Sequence, residues 1–170
     1  MANKSLEAAY FLLRKTTPLQ KNCGRLCAQS CCRGDENTGM RLFPFEEEQL
    51  GSVPEFTLKA TDGNYGYPLL VCNGTCPRDL RPLACRLFPL FPLVTQTEAG
   101  EVRVSVIYDP RAKHACPLAR EYARLRSQFV RAVRRAGKYL IKDPVHLDYL
   151  LKISRELSEW TQLEALLTNK

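Results

Sequence analysis

The last third of the chain has the spacing of apolar residues that is typical of amphipathic helices. From Pro117 onward, apolar side chains recur three and four positions apart, which places them on one face of a helix. They are Leu118, Tyr122, Leu125, Phe129, Ala132, Ala136 and Leu140. Asp143-Pro144 then provides a second helix start, and the following pattern predicts a last helix that runs to about Leu167. A pair of C-terminal helices is therefore expected.

Two shorter helices are predicted nearer the N-terminus. Residues 5–15 place Leu6, Tyr10 and Leu13 on one face, with Ser5 as the expected cap. Farther along, three consecutive glutamates at residues 46–48 follow a proline, and carboxylates in a first turn complement the helix dipole. We interpret these glutamates as residues of a helix start rather than as an acid/base pair.

Two segments alternate apolar and polar residues in the manner of β-hairpins. Residues 55–72 contain two strand-like runs around a turn rich in Gly, Asn and Asp, and residues 93–109 repeat the pattern around an Ala-Gly turn. Between them, residues 72–92 contain four prolines, a content that excludes long regular structure there. The two hairpins are thus expected on either side of an irregular segment.

Together these elements predict an α+β fold. The 170 residues have the length of one domain, and we assign residues 1–170 to it. Within this domain, residues 20–117 form a small loop- and hairpin-rich cysteine module. The module is expected to pack with a helical C-terminal part, residues 118–168.

Charge is concentrated in one segment. The formal net charge is +7, and residues 111–142 alone hold 10 Lys or Arg against one acidic residue. The predicted helix places a basic stripe away from its apolar face, at Arg120, Arg124, Arg131, Arg135 and Lys138. Such a stripe is either a solvated face paired with the acidic residues of the last helix (Asp148, Glu156, Glu159), or a surface for nucleic acid or for an acidic protein.

Eight cysteines dominate the candidate chemistry. They are Cys23, Cys27, Cys31, Cys32, Cys72, Cys76, Cys85 and Cys116. All lie in the loop-like, Pro- and Gly-rich parts of the chain, at close spacing. Residues 1–15 do not read as a signal peptide, because Arg14-Lys15 stands where a cleavage site should be. No stretch is long enough to span a membrane. We therefore expect a cytoplasmic protein, in which thiols stay reduced and act as metal ligands rather than as redox disulfides or structural thiols.

The cysteine spacings leave zinc and iron–sulphur sites both open. Zinc knuckles usually have a Cys-x2-Cys pair, which is absent here, whereas Cys76 and Cys116 each precede a proline, as in bacterial ferredoxin-type runs. Neighbouring side chains in extended backbone point in opposite directions. Cys31 and Cys32 are therefore expected to serve different metals, or one of them is a spare or reactive thiol.

Two cysteine-bearing segments together resemble the YkgJ-type cysteine-cluster family, a zinc- or iron-chelating domain. Residues 23–32, CGRLCAQSCC, are similar to its Cys-x2-Cys-x2-Cys-Cys run, although the spacings here are x3. Residues 81–89, RPLACRLFP, match its Arg-Pro-x-x-Cys-Arg-x-[Phe/Tyr]-Pro segment throughout, and residues 46–48 fit its usual glutamate after the first cluster. The resemblance covers about residues 20–120. It implies metal binding through eight cysteines and no particular reaction.

Arg81 and Arg86 flank Cys85 in the second motif and are the candidate cofactor-binding side chains. A guanidinium there can donate hydrogen bonds to thiolate sulphurs or to backbone carbonyls, and Arg86 can instead hold an anionic substrate.

Three functions remain as alternatives. The first is a metal-binding protein that chelates zinc or an iron–sulphur cluster through its eight cysteines. The second is an iron–sulphur enzyme or subunit with redox or group-modifying activity. The third is a zinc-stabilised interaction module that presents the basic helix to an anionic partner. Phosphate-binding loops, dinucleotide fingerprints and nucleophile elbows are absent from the sequence, so it names no catalytic residue.

Overall fold

The protein has the α+β fold that its sequence predicts. The computed structural model describes residues 3–20, 23–25, 27–33, 39–50, 53–60, 67–74, 77–120 and 125–168. Within these ranges the helices are α1 (Lys4–Leu13), α2 (Glu46–Leu50), α3 (Leu83–Leu87), α4 (Ala112–Ala115), α5 (Ser127–Leu140) and α6 (Pro144–Thr168). The strands are β1 (Met40–Arg41), β2 (Phe56–Lys59), β3 (Leu69–Cys72), β4 (Leu90–Gln96) and β5 (Val102–Tyr108). Short 3-10 turns lie at Cys23–Arg25, Ser30–Cys32, Arg78–Leu80 and Pro117–Arg120.

The first sheet has the order β1-β3-β2, and all its pairs are antiparallel. β2 and β3 form the first predicted hairpin, with Phe56 opposite Cys72 and Lys59 opposite Leu69. The connecting turn, residues 61–66, lies outside the described residues. Leu70 in the central strand is buried, and the same strand carries Cys72 at its end. The sheet thus delivers one cysteine from a packed element rather than from a loop.

The second sheet is the hairpin of β4 and β5, which pair from Leu90 and Tyr108 to Gln96 and Val102. This hairpin confirms the second prediction. Regular structure nevertheless reaches farther into the proline-rich segment than expected, because β4 begins at Leu90 and includes Pro92. A proline is tolerated there since no described strand pairs with the other side of β4. On that side α6 covers the edge, and the Val94 N–H donates to Ser154 Oγ at 2.8 Å.

Helix α1 begins two residues earlier than the sequence suggests. Its cap is Asn3, whose Oδ1 accepts from the N–H groups of Ser5 (3.1 Å) and Leu6 (3.0 Å), so Ser5 is a helical residue and not the cap. Asn3 also donates through Nδ2 to Asp143 Oδ2 at 3.0 Å. The N-terminal helix is thereby fastened to the turn that precedes α6.

The first of the C-terminal helices begins ten residues later than predicted. Residues 117–120 form a 3-10 turn, residues 121–124 lie outside the described residues, and α5 begins at Ser127. The Arg126 N–H donates to the Pro18 carbonyl at 2.9 Å, which holds this segment against the chain that follows α1. Leu118 and Leu125 are buried as the pattern required, but tertiary contacts rather than a helix place them.

The core lies between the β4–β5 hairpin and the helices α1, α5 and α6. Its fully or almost fully buried side chains include Leu6, Leu13, Leu90, Val94, Phe129, Val133, Leu140, Leu150, Ile153 and Leu157. Helices α5 and α6 both pack on β4, and α5 also packs against α1. Among the described helices, including the 25-residue α6, none combines the length and the apolar content needed to cross a bilayer.

Candidate metal centre

The first cysteine group lies on a tightly bent loop. Cys23 and Cys32 lie in two 3-10 turns, and between them Ala28 (φ +47°) and Gln29 (φ +60°) adopt left-handed backbone conformations. A non-glycine residue in this region costs about 1–2 kcal/mol. Strained conformations of this kind concentrate at ligand clamps and active sites, where the surrounding structure holds them. The bend brings the Cys27 thiol within electrostatic range of the Cys31 thiol.

An isolated β-bridge ties this loop to the first sheet. Arg33 pairs with Asn73 in antiparallel fashion, which brings together the two segments that carry Cys32 and Cys72. A side-chain hydrogen bond from the Cys72 thiol to Cys32 follows from this placement. The bridge explains how two motifs 40 residues apart in sequence contribute thiols to one place.

Cys85 is positioned by a buried carboxylate that belongs to another helix. Glu46 is fully buried, and its Oε2 accepts from the Phe43 N–H at 2.8 Å. Its Oε1 accepts from the Tyr10 hydroxyl and from the N–H of Leu83, the first residue of α3. Pro82, the N-cap of α3, offers no side-chain hydrogen bond, so Glu46 caps the helix that carries Cys85.

The buried position also changes the ionisation of Glu46. Burial raises the pKa of its carboxyl group, and this effect exceeds the opposing effects of the three donors and of the nearby Arg86. The sequence indicated a carboxylate at a helix start. It gave no signal that this one crosses to α3, because the contact joins residues 37 positions apart.

The two motif arginines have different surroundings. Arg86 donates from Nε to the Arg81 carbonyl and from Nη2 to the Asp79 carbonyl, both at 2.8 Å, and its guanidinium lies 4.7 Å from the centroid of the Tyr10 ring. These contacts hold the loop that enters α3. The Arg81 guanidinium lies near the thiols, where its positive charge partly opposes the rise in pKa that burial causes at Cys23 and that the hydrogen bond to Cys31 causes at Cys32.

Cys116, the last cysteine in the sequence, also lies near the first cysteine group. It follows α4, and its N–H donates to the Ala112 carbonyl at 2.8 Å. Its thiol is within electrostatic range of Cys23 and Cys27, while burial raises the pKa of both Cys116 and Cys23. A cation that binds these thiols must therefore displace their protons.

The adjacent cysteines of the first group differ from each other. The Cys32 thiol donates to Cys31 sulphur, which lowers the pKa of Cys31 and raises that of Cys32. Cys31 is exposed, whereas Cys32 is half-buried and directed toward Cys72. The two therefore do not have equivalent surroundings, in keeping with the expected division of roles, although the structure assigns neither of them to a metal.

Seven of the eight predicted ligands lie in the described part of the chain, and none of these seven forms a disulfide bond there. Cys23, Cys27, Cys31, Cys85 and Cys116 are linked by mutual electrostatic effects, and Cys32 and Cys72 join them through Cys31. Cys76 lies outside the described residues. Among those described, no three or more Cys, His, Asp or Glu side chains have the arrangement of a metal-ligand group. The donor chemistry fits a soft cation, since thiolates are preferred by zinc and iron–sulphur clusters, but a ligand shell is not formed.

The basic stripe is a separate surface. On α5, Arg131, Arg135 and Lys138 are exposed as expected, and Arg134, which the sequence reasoning missed, is exposed beside them. Arg124 lies outside the described residues, and Arg120 belongs to a 3-10 turn instead of the helix.

The acidic residues of α6 do not neutralise this surface. In the described part of the chain, no salt bridge joins the four exposed cations of α5 to a carboxylate. Asp148 instead pairs with Lys152 within α6 at 2.8 Å, and Glu164 pairs with Lys113 at 3.3 Å. Among the described residues, the structure therefore shows no ion pair between the stripe and α6.

Comparisons with known proteins add no family to this description. Neither protein-family models, nor curated proteins, nor solved structures gave a match to the chain.

Proposed function

We propose that this is a metal-binding cysteine-cluster protein of the YkgJ type, which chelates zinc or an iron–sulphur cluster through its eight cysteines. The observation that carries the proposal is the gathering of seven cysteines from four separate places in the chain. The loop 23–32, the end of β3, helix α3 and the residue after α4 all direct cysteines to one region. Cysteines that act as small core residues would be scattered over apolar faces instead.

Two further observations support a soft cation at this place. The left-handed residues Ala28 and Gln29 keep the first loop bent at an energetic cost that a bound ligand can offset. Arg81 and Arg78 bring positive charge to the Cys23 thiol, and a tetrathiolate site needs such charge because it stays negative after binding its metal. A bound zinc ion or cluster supplies folding energy to a loop-rich module of this kind. We further propose that the protein works in the cytoplasm, where its thiols remain reduced.

Anaerobic purification followed by metal analysis and visible spectroscopy tests the proposal. We expect bound metal in near-integer ratio to the chain. Zinc gives a colourless protein and fits a structural or chelating role, whereas iron with matching acid-labile sulphide gives a brown protein and favours the enzyme or subunit alternative. A protein that contains neither metal and titrates as eight free thiols would contradict the proposal.

Single substitutions test which cysteines bind the metal. We expect Cys85→Ser and Cys72→Ser to lower the bound metal per chain, because serine hydroxyls are poor ligands for soft cations. Ser30→Ala, in the same loop region but without a thiol, is the matched control and should keep full occupancy. Equal metal content in all three variants would show that these two thiols do not bind the metal.

A separate observation favours a second function for α5, namely binding of a nucleic-acid backbone. Its four exposed cations, Arg131, Arg134, Arg135 and Lys138, occupy successive turns of one helix face and have no carboxylate partner among the described residues. Phosphates spaced along a nucleic acid can engage such a row. This proposal does not depend on the metal.

Binding of a mixed-sequence DNA duplex at several salt concentrations tests this second function. We expect log K to fall with log salt at a slope of about −0.9 for each phosphate contacted. The double variant Arg131→Gln/Arg135→Gln should bind more weakly and with a shallower slope. Arg103→Gln removes the same charge from the far hairpin, where Arg103 pairs with Glu101, and should change little. Absence of salt-dependent binding would leave an acidic protein as the partner to test.

A further inference from the structure

A cavity of about 380 Å³ lies against the cysteines of the candidate metal centre. Cys31, Cys32, Cys72 and Cys85 form one wall of it. Sites for small organic ligands commonly measure about 300–1,000 Å³ and are mainly apolar with a few polar groups. The cavity has this size, and the exposure of Cys31 and Trp160 in its wall shows that it is reached from solvent.

Several aromatic side chains also line the cavity. Phe43 and Phe91 come from the buried core, Phe56 comes from β2, and Trp160 comes from α6. Trp160 remains 44% exposed, and therefore has ring surface available to a ligand. Such walls favour a ligand that carries an aromatic or a large apolar group.

A carboxylate oxygen that accepts no hydrogen bond from the described residues also lines the cavity. Glu156 lines the cavity from α6, one helical turn before Trp160, and its Oε2 is buried without a hydrogen-bond partner among the described residues. Asp109 also lines the cavity, but both of its carboxylate oxygens already accept hydrogen bonds from the Arg111 guanidinium, at 2.8 Å and 2.6 Å. The acceptor that lacks a hydrogen-bond donor therefore belongs to Glu156, and a bound ligand can provide that donor.

Positive charge also lines the cavity. Glu156 lies within electrostatic range of Arg111, and both Arg111 and Arg41 lie within range of the Tyr149 hydroxyl. Arg41 and Arg111 line the cavity with Glu156. A cavity lined by both a carboxylate and guanidinium groups matches a ligand that has an ammonium and a carboxylate on one carbon atom.

We propose that this cavity binds a free α-amino acid with an aromatic or large apolar side chain. Its ammonium group donates to Glu156, its carboxylate faces Arg41, and its side chain lies among the aromatic rings. The proposal rests on the cavity and not on any metal bound by the cysteines. An apolar ligand without the amine would leave the buried Glu156 oxygen unsatisfied, and a dicarboxylate would be repelled by it.

The fluorescence of Trp160, the only tryptophan in the chain, reports binding directly. L-phenylalanine, which does not emit in the same range, is titrated into the protein as purified. We expect a saturable change in emission. Phenethylamine, which lacks the carboxylate, and 3-phenylpropionate, which lacks the amine, should each bind more weakly by about tenfold, the loss expected for one charge-assisted hydrogen bond.

Two substitutions on α6 test whether Glu156 is the side chain that binds the ammonium group of the ligand. Glu156→Gln should weaken binding of L-phenylalanine by about tenfold and should not weaken binding of 3-phenylpropionate, which gains from the removal of the negative charge. Glu159→Gln, on the exposed face of the same helix, should bind as the unchanged protein does. Arg41→Gln should weaken L-phenylalanine and spare phenethylamine, which keeps the test decisive if Glu156→Gln fails to fold.

Three results would overturn the inference. These are no saturable change with L-phenylalanine, equal binding of all three probes, and unchanged affinity in both the Glu156 and Arg41 variants. None of them bears on whether the cysteines hold metal, which is measured separately by metal analysis.

Discussion

Replacement of Glu46 with alanine is expected to lower the free energy of unfolding by about 3–5 kcal/mol, a large part of the stability of an ordinary domain. The variant leaves three donors without their acceptor, namely the Tyr10 hydroxyl and the N–H groups of Phe43 and Leu83. Since the Leu83 N–H opens α3, the helix that carries Cys85 loses its cap as well. Urea denaturation monitored by circular dichroism measures the change.

Glu47→Ala is the matched control. Glu47 belongs to the same helix as Glu46, but its side chain is exposed, so we expect a change within about 0.5 kcal/mol. If Glu46→Ala and Glu47→Ala were equally stable, the carboxylate would merely complement the helix dipole, as the sequence suggested. A large loss at Glu46 alone supports the cross-helix cap.

The pH dependence of Glu46→Gln examines the same carboxylate differently. Burial raises the pKa of Glu46 above its ordinary value of 4.5, so the folded protein holds this proton more tightly than the unfolded chain. The stability that this proton supplies is complete below pH 4.5 and is lost as pH rises through the folded-state pKa. Glutamine cannot ionise. The stability gap between the unchanged protein and Glu46→Gln should therefore narrow as pH rises above 4.5, and a gap that widens would contradict the raised pKa.

The alternation of apolar and polar residues within each short segment was sufficient to predict both hairpins. The pairing of Val102, Val104 and Val106 with β4, and of β2 with β3, depends on which residues face the same side of neighbouring strands. This information is present within each short segment, because side chains alternate strictly along a strand. The hairpins could thus be read from the sequence with no knowledge of the rest of the fold.

Helix periodicity failed where tertiary contacts replaced helical ones. Leu118 and Leu125 have the spacing of a helix face and are both buried, yet the former lies in a 3-10 turn. The Arg126 N–H is used by the Pro18 carbonyl, a partner 108 residues away in the chain. Apolar spacing shows which residues are buried, whereas the backbone between them depends on partners that the segment does not contain.

The candidate site likewise depends on contacts between distant segments, which the local sequence does not predict. Cysteine composition predicted a group of thiols, and in the structure each of the seven described ones is electrostatically coupled or hydrogen-bonded to at least one other. Their neighbourhoods depend on the bridge between Arg33 and Asn73 and on the Glu46 cap, both of which join distant segments. The aromatic cavity beside the thiols draws on α6 and on both sheets, and therefore left no motif in the sequence.

Gly137→Ala is expected to destabilise the protein by about 1–3 kcal/mol, although alanine usually stabilises a helix interior by about 1 kcal/mol relative to glycine. Gly137 lies in α5 where this helix packs on the β4–β5 hairpin. A Cβ atom there would lie 2.7 Å from Pro92 Cβ and 2.8 Å from Val104 Cγ1. Both distances are too short for carbon atoms, and the ring of Pro92 cannot rotate away.

The sign of the effect distinguishes packing from helix propensity, and a double-mutant cycle locates its source. Val104→Ala removes Cγ1, one of the two obstructing atoms, at the cost of a small cavity. Gly137→Ala should therefore cost less in the Val104→Ala background than in the unchanged protein, with a coupling energy above about 0.5 kcal/mol. Stabilisation by Gly137→Ala alone, or strict additivity of the two changes, would mean that α5 does not approach the hairpin this closely. The close approach buries one face of α5 and leaves Arg131, Arg134, Arg135 and Lys138 on the opposite face, so the geometry tested at Gly137 also exposes the basic surface.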